Sequence, residues 1–196
     1  VAWWRAFRSE DIDVPMAAIH RGIGMGGDKM MASLIGEQRP SLSEKHGKEF
    51  LQFRAEMWPL PGAADLLTAV KEMGLAVVIG TSAKAENVPA MLEAIGAPEM
   101  IDDVVHSGDV EQSKPAPDIF STAIARGRLD PERTIAVGDT GWDIEAARRA
   151  GCGCIALLTG GWSEAELAEA GALAVYETPA DLLSRLAQSP LASLLR

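Results

Sequence analysis

From Pro61 to the end of this 196-residue chain, apolar positions alternate between two rhythms. Short unbroken apolar runs, LAVVIGTS, DDVVHSGD, TIAVGD, CIALLTGG and ALAVYE, predict strands buried on both faces. Between them the apolar residues recur every three or four positions. PGAADLLTAVKEMG, NVPAMLEAIG, PAPDIFSTAIARG, WDIEAARRAG, SEAELAEAG and PADLLSRLA therefore predict helices. The punctuation agrees: Pro61 starts the first of these helices, Gly74 stops it, and Gly127 is placed to cap the third. Strands that alternate with helices of this length imply an α/β fold whose parallel sheet is covered on both faces. Ligands in such sheets bind outside the carboxyl ends of the strands.

Residues 1–58 follow a different pattern. They hold no strand-like run, and Trp3, Trp4 and Phe7 recur at helical spacing. The expected organisation is a small helical subdomain over 1–58 joined to an αβ core over 59–196.

Composition narrows the function classes. A hydrophobic content of 47% supports a real core, and no apolar run approaches the ~20 residues of a membrane span. The net charge of −10 argues against nucleic acid or an acidic membrane as partner, because either needs a basic face. A small anionic substrate remains compatible, since it needs only local cations and amides. Cys152 and Cys154 stand two apart, so a strand would point both thiols the same way. With no second pair to complete a metal site, they read as reduced and structural, which suits a cytoplasmic protein. The pattern does not specify an oligomeric state.

Three polar clusters close successive strands: Thr81 and Ser82 after LAVVIG, Lys114 in QSKPAPDIF, and Asp139 with Asp143 in GDTGWD. Each has a local alternative. Thr81 and Ser82 suit a helix N-cap, Lys114 a solvated loop, and Asp143 the cap and dipole of the helix it begins. Together they supply what phosphoryl transfer asks of a protein. Hydroxyls and amides bind the non-bridging oxygens, a lysine neutralises developing charge, and carboxylates hold a magnesium ion. Magnesium keeps several waters, so one or two protein carboxylates suffice.

The series VVIGTSA, SKPAPDIF and VGDTGWDIEAARRAG resembles the second, third and fourth motifs of the haloacid dehalogenase-like hydrolases, nearest to the phosphoglycolate phosphatase-like members with a helical cap. The resemblance implies a Rossmann-like parallel core under an N-terminal cap. It also implies a magnesium-dependent phosphatase that acts on a small phosphorylated metabolite through a phosphoaspartyl intermediate. Thr81 or Ser82 would bind the transferred phosphoryl group, and Lys114 would steady it together with the nucleophile. Asp139 and Asp143 would hold Mg2+. The family's nucleophile is an aspartate in a D-x-D-G-T context after the first strand, and no such motif occurs here. Asp11 and Asp13 form a D-x-D, but they follow a charged helical stretch and precede Val14-Pro15. The opening VAWWRAF reads as the first cap helix, so the nucleophile strand is expected upstream of Val1.

Other members of the resemblance stay open as alternatives. Phosphonate-cleaving enzymes carry a cap lysine after a Met-Gly, as GMGGDKMM does with Lys29, and sugar-phosphate mutases share the core. A non-catalytic binder of phosphorylated ligands is a third alternative, and a receiver-type regulator would share the sheet but explain neither the cap nor SKPAPD. Selectivity is expected in HRGIGMGGDK, where Gly24 and its neighbouring glycines let the backbone approach a ligand and Arg21 and Lys29 flank it with positive charge. The alternative reading is a flexible connector with two solvated cations. His20 and His46 read as surface or packing residues, and Trp142 as the rim of the pocket.

Overall fold

The computed structural model describes residues 1–195. Its first part is helical: α1 (Ala2–Arg8), α2 (Met16–Gly22), α3 (Gly27–Ile35) and α4 (Pro40–Gln52), then one 3-10 turn at Arg54–Glu56. Trp3, Trp4 and Phe7 lie on α1 as their spacing predicts. Phe7 is fully buried with Ala6, Val14, Ile19, Met31 and Leu42 in a cluster that these helices share. His46 stacks on Trp3 at 4.1 Å between ring centroids, so it is a packing residue. Asp11 takes a left-handed backbone, while Asp13 is paired with Arg8 and its side chain is 86% exposed. That D-x-D is a solvated turn.

The αβ part follows the predicted order. It runs α5 (Ala63–Glu72), β1 (Val78–Gly80), α6 (Val88–Ile95), β2 (Asp103–Val105), α7 (Asp118–Gly127), β3 (Ile135–Gly138), α8 (Gly141–Arg149), β4 (Gly153–Leu157), α9 (Glu164–Ala170), β5 (Ala174–Tyr176) and α10 (Pro179–Ser184). One cap differs from expectation. Gly127 is the last helical residue of α7, and the left-handed cap position is taken by Arg128, whose φ is 51°.

Alternation along β4 shows how the sheet is covered. Cys154 and Ala156 point to a cluster with Ile124 of α7, Ile144 and Ala147 of α8 and Leu167 of α9. Ile155 and Leu157 point the other way, to Leu66 of α5, Tyr176 of β5, Leu182 of α10 and Leu191. Side chains two apart share a face, so this period of two places helices on both faces. Both cysteines are free and buried in the first cluster, and burial pushes the Cys154 thiol up to about 12.

All strand pairs are parallel, but the strands form two ladders. β1 pairs with β2, matching Val78 to Asp103, and β3, β4 and β5 pair in that order, matching Ile135 to Gly153 and Ile155 to Ala174. Among the described residues no backbone pairing joins β1 to β3, so the parallel strands stand in two groups with a gap between β1 and β3. Both strands instead line a slot of ≈ 700 Å³, with Val78, Ile79 and Gly80 from β1 and Ile135, Ala136 and Val137 from β3. The slot is overwhelmingly apolar, and Val137, in mid-strand, is 42% exposed. Trp58, also against the slot, is 85% exposed.

Candidate active site

The parallel order brings the carboxyl ends of β1 and β3 to one edge of the molecule. At the end of β1, the Thr81 hydroxyl accepts from the Ala83 amide at 3.1 Å. The neighbouring Ser82 Oγ lies 3.5 Å from the Gly24 carbonyl and donates towards it. Thr81 thus organises its own turn, and Ser82 reaches the segment between α2 and α3.

Lys114 and Asp143 form the centre of the cluster. Their side chains are 9% and 8% exposed, and Lys114 Nζ donates to Asp143 Oδ1 at 2.7 Å. Asp143 sits on α8 because Thr140 and Asp143 form a capping box. The Thr140 amide and hydroxyl both donate to Asp143 Oδ2, at 3.1 and 2.6 Å, and the Asp143 amide donates back to Thr140 Oγ1. The sequence offered two roles for Asp143, helix cap and site carboxylate, and the geometry gives it the cap and the lysine together. Gly138 makes the approach possible: a Cβ there would lie 2.4 Å from Asp143 Cβ.

Asp139 lies beyond the end of β3, and Thr159 Oγ1 donates to its Oδ2 at 3.0 Å. Burial, and to a lesser degree the Asp143 charge, hold its carboxyl above the ordinary range. Two half-buried or buried carboxylates therefore share one lysine, and that lysine contacts Asp143. A hard divalent cation fits this imbalance, since it would relieve the Asp139 charge and asks for only one or two carboxylates. Among the described residues no group of three or more His, Cys, Asp or Glu could hold a metal by itself, so the remaining ligands of such an ion would be water and substrate oxygens.

The segment from His20 to Asp28 closes over these strand ends. Gly24, with φ of +100°, packs so near Thr140 that a Cβ would lie 2.7 Å from its hydroxyl. Asp28 accepts from Ser113 Oγ at 2.7 Å, next to Lys114 in the chain. Trp142 Nε1 donates to the Arg21 carbonyl at 2.9 Å, which ties α8 to the end of α2. The guanidinium of Arg21 is engaged by Glu166 and by the face of Trp162. Lys29 lies half-buried in the first turn of α3. The sequence-predicted residues Ser82, Gly24, Lys114, Asp139 and Asp143 thus meet in one neighbourhood, whereas Arg21 is spoken for by other groups.

Sequence reasoning missed Thr140, Thr159, Ser113, Trp162 and Glu166. Thr140, three residues before Asp143, carried a capping-box signal that was legible but unused. Thr159 follows β4 as Thr81 follows β1. Trp162 and Glu166 became relevant only once the fold placed them beside α2.

A family model described as haloacid dehalogenase-like hydrolase matches residues 5–157. The chain belongs to the haloacid dehalogenase-like hydrolases. The match to this family spans both the helical N-terminal part and the strand ends that carry Lys114 and Asp139. A crystal structure of a hydrolase from Pseudomonas syringae superposes with a TM-score of 0.89 at 36% identity, covering 95% of this chain and 89% of that one. Protein CbbY from Cereibacter sphaeroides is 38% identical over 98 residues, 48% of this chain and 43% of CbbY. Phosphoglycolate phosphatase from Escherichia coli K12 is 33% identical over 100 residues, 51% of this chain and 40% of that enzyme. These two matches span under half of the relatives' own lengths. The family and its α/β fold thus agree with what the motifs implied.

Proposed function

We propose that this haloacid dehalogenase-like hydrolase is a magnesium-dependent phosphatase of a small phosphorylated metabolite, working through a phosphoaspartyl intermediate. The observation that carries the reading is the buried Lys114–Asp143 pair set beside Asp139, whose carboxyl burial holds above its ordinary range. Buried charge is costly and is held where chemistry uses it. Lys114 would neutralise the transferring phosphoryl group, and Thr81 with the amides of its turn would bind its oxygens. Asp139, with Asp143 beside it, would hold Mg2+, which supplies charge stabilisation at the phosphoryl oxygens. Residues 1–58 act as the cap, with Gly24 and Lys29 facing the substrate's remaining groups.

The slot between β1 and β3 supports the place of the nucleophile. A five-residue strand at standard spacings occupies on the order of 800 Å³, close to the volume of the slot. A parallel strand seated there would pair with both open edges and bury Val137. An aspartate at its carboxyl end would emerge between Thr81 and Asp139. The test is phosphate release from a panel of sugar phosphates and phosphoglycolate, with a D-x-D-G-T strand joined ahead of Val1 or added as a peptide. Release that needs Mg2+ and is lost in Asp139→Asn and Lys114→Ala supports the reading. Release that survives either substitution overturns it, as does phosphoryl transfer to a second hydroxyl without net release, which would make the enzyme a mutase.

A further inference from the structure

The segment from His20 to Asp28 is held over the strand ends by contacts of unequal kinds. Two are short polar contacts along its length, Trp142 to the Arg21 carbonyl and Ser113 to Asp28. The third is a side-chain cluster at its start. The Arg21 guanidinium lies 3.7 Å from the centroid of the Trp162 ring and donates to Glu166 Oε1 at 2.6 Å. Trp162 meets Trp142 edge-on at 5.7 Å. Glu166 is itself fixed, because its other oxygen accepts from the Ser163 amide and hydroxyl at the start of α9. One carboxylate therefore caps a helix of the αβ part and reaches across to α2.

Two features show this cluster to be finely balanced. Arg21 and Glu166 are 40% and 44% exposed, so their attraction is modest and screened by salt. The indole N–H of Trp162 is buried with no acceptor among the described residues. An orphaned donor has a cost of the same order as the gain from an exposed ion pair plus a cation–π stack. Trp162 itself packs against the core and Trp142, so release of the clasp means Arg21 leaving the indole and Glu166, with Trp162 staying in place.

We infer that Arg21 is the clasp of a salt-weakened latch: its stack on Trp162 and its pair with Glu166 hold residues 20–28 closed over the strand ends. With this cluster released, the segment is left to its contacts with Trp142, Ser113 and Ser82, which lowers the cost of opening for substrate exchange. The latch deepens the phosphatase reading, for which it controls access. It is nonetheless read here without turnover, so a failure of catalysis and a failure of the latch are separate results. The experiment is hydrogen exchange of the full chain, comparing the peptide over residues 20–28 with peptides over β3 and β4. In Arg21→Gln and in Glu166→Gln, exchange over 20–28 should rise roughly fivefold while β3 and β4 stay unchanged. Raising NaCl from about 0.05 M to about 0.5 M should produce the same rise in the unmodified protein and little further change in either variant. Unchanged exchange over 20–28 in both variants overturns the inference. A rise shared equally by β3 and β4 also overturns it, by showing that Arg21 supports the core and not the segment.

Discussion

Replacing Lys114 by Met tests whether the site's central pair is a buried one. The substitution keeps the length of the aliphatic stem but removes the ammonium 2.7 Å from Asp143 Oδ1. Asp143, 8% exposed, would keep its two bonds from Thr140 and lose the cation that donates to it, with Asp139 still beside it. Removing one partner of a buried pair costs about 3–5 kcal/mol, because the other charge stays desolvated. For a chain of this size each kcal/mol moves the melting temperature by about 2–4 °C, so the midpoint should fall by about 6–20 °C. Thermal and urea denaturation followed by circular dichroism would measure both quantities. Adding Asp143→Asn should recover part of the loss, because the double variant buries no lone charge while the amide still caps α8. A loss below about 1 kcal/mol in Lys114→Met would mean that the pair is solvated. The electrostatic account of the site would then fail.

Three further outcomes follow from the packing. Burial, with Lys84 nearby, depresses His46 from 6.5 to about 4. The unfolded chain therefore binds more protons between those values, and stability should fall by about 1–3 kcal/mol as pH drops from about 6.5 to about 4. His46→Phe should flatten that slope in urea titrations run across the window. Gly138→Ala should cost about 1–3 kcal/mol, because a Cβ only 2.4 Å from Asp143 Cβ forces strand and helix apart. The same denaturation assay reads it. Cys154, its thiol raised to about 12 by burial, should resist iodoacetamide in the native protein and react once the chain is unfolded, as mass spectrometry would show.

How far the sequence revealed this molecule depended on the range of the signal. The αβ part was legible because each element carries its own period: the branched run of TIAVGD became β3, and WDIEAARRAG became α8. Lys114, Asp139 and Asp143 were legible because parallel strands put their ends on one edge whatever the details of packing. Arg128 at the cap of α7 was not legible, since the choice between it and Gly127 turns on where one helical hydrogen bond ends. The division into two ladders fits the expectation that the nucleophile strand lies upstream of Val1, which leaves the edges of β1 and β3 unpaired here. Arg21 shows the limit most clearly. A cation beside glycines suggests a ligand, yet the nearest anion and aromatic ring come from Glu166 and Trp162, some 140 residues along the chain. Only the fold brings those groups together.

The most direct measurement is calorimetric titration of Mg2+ into the protein in the presence of inorganic phosphate, repeated with Asp139→Asn. The account predicts saturable binding that needs phosphate, is lost in Asp139→Asn and weakens as pH falls, because burial and Asp143 already favour the protonated Asp139. Binding that is undiminished in Asp139→Asn would contradict it and place the metal elsewhere.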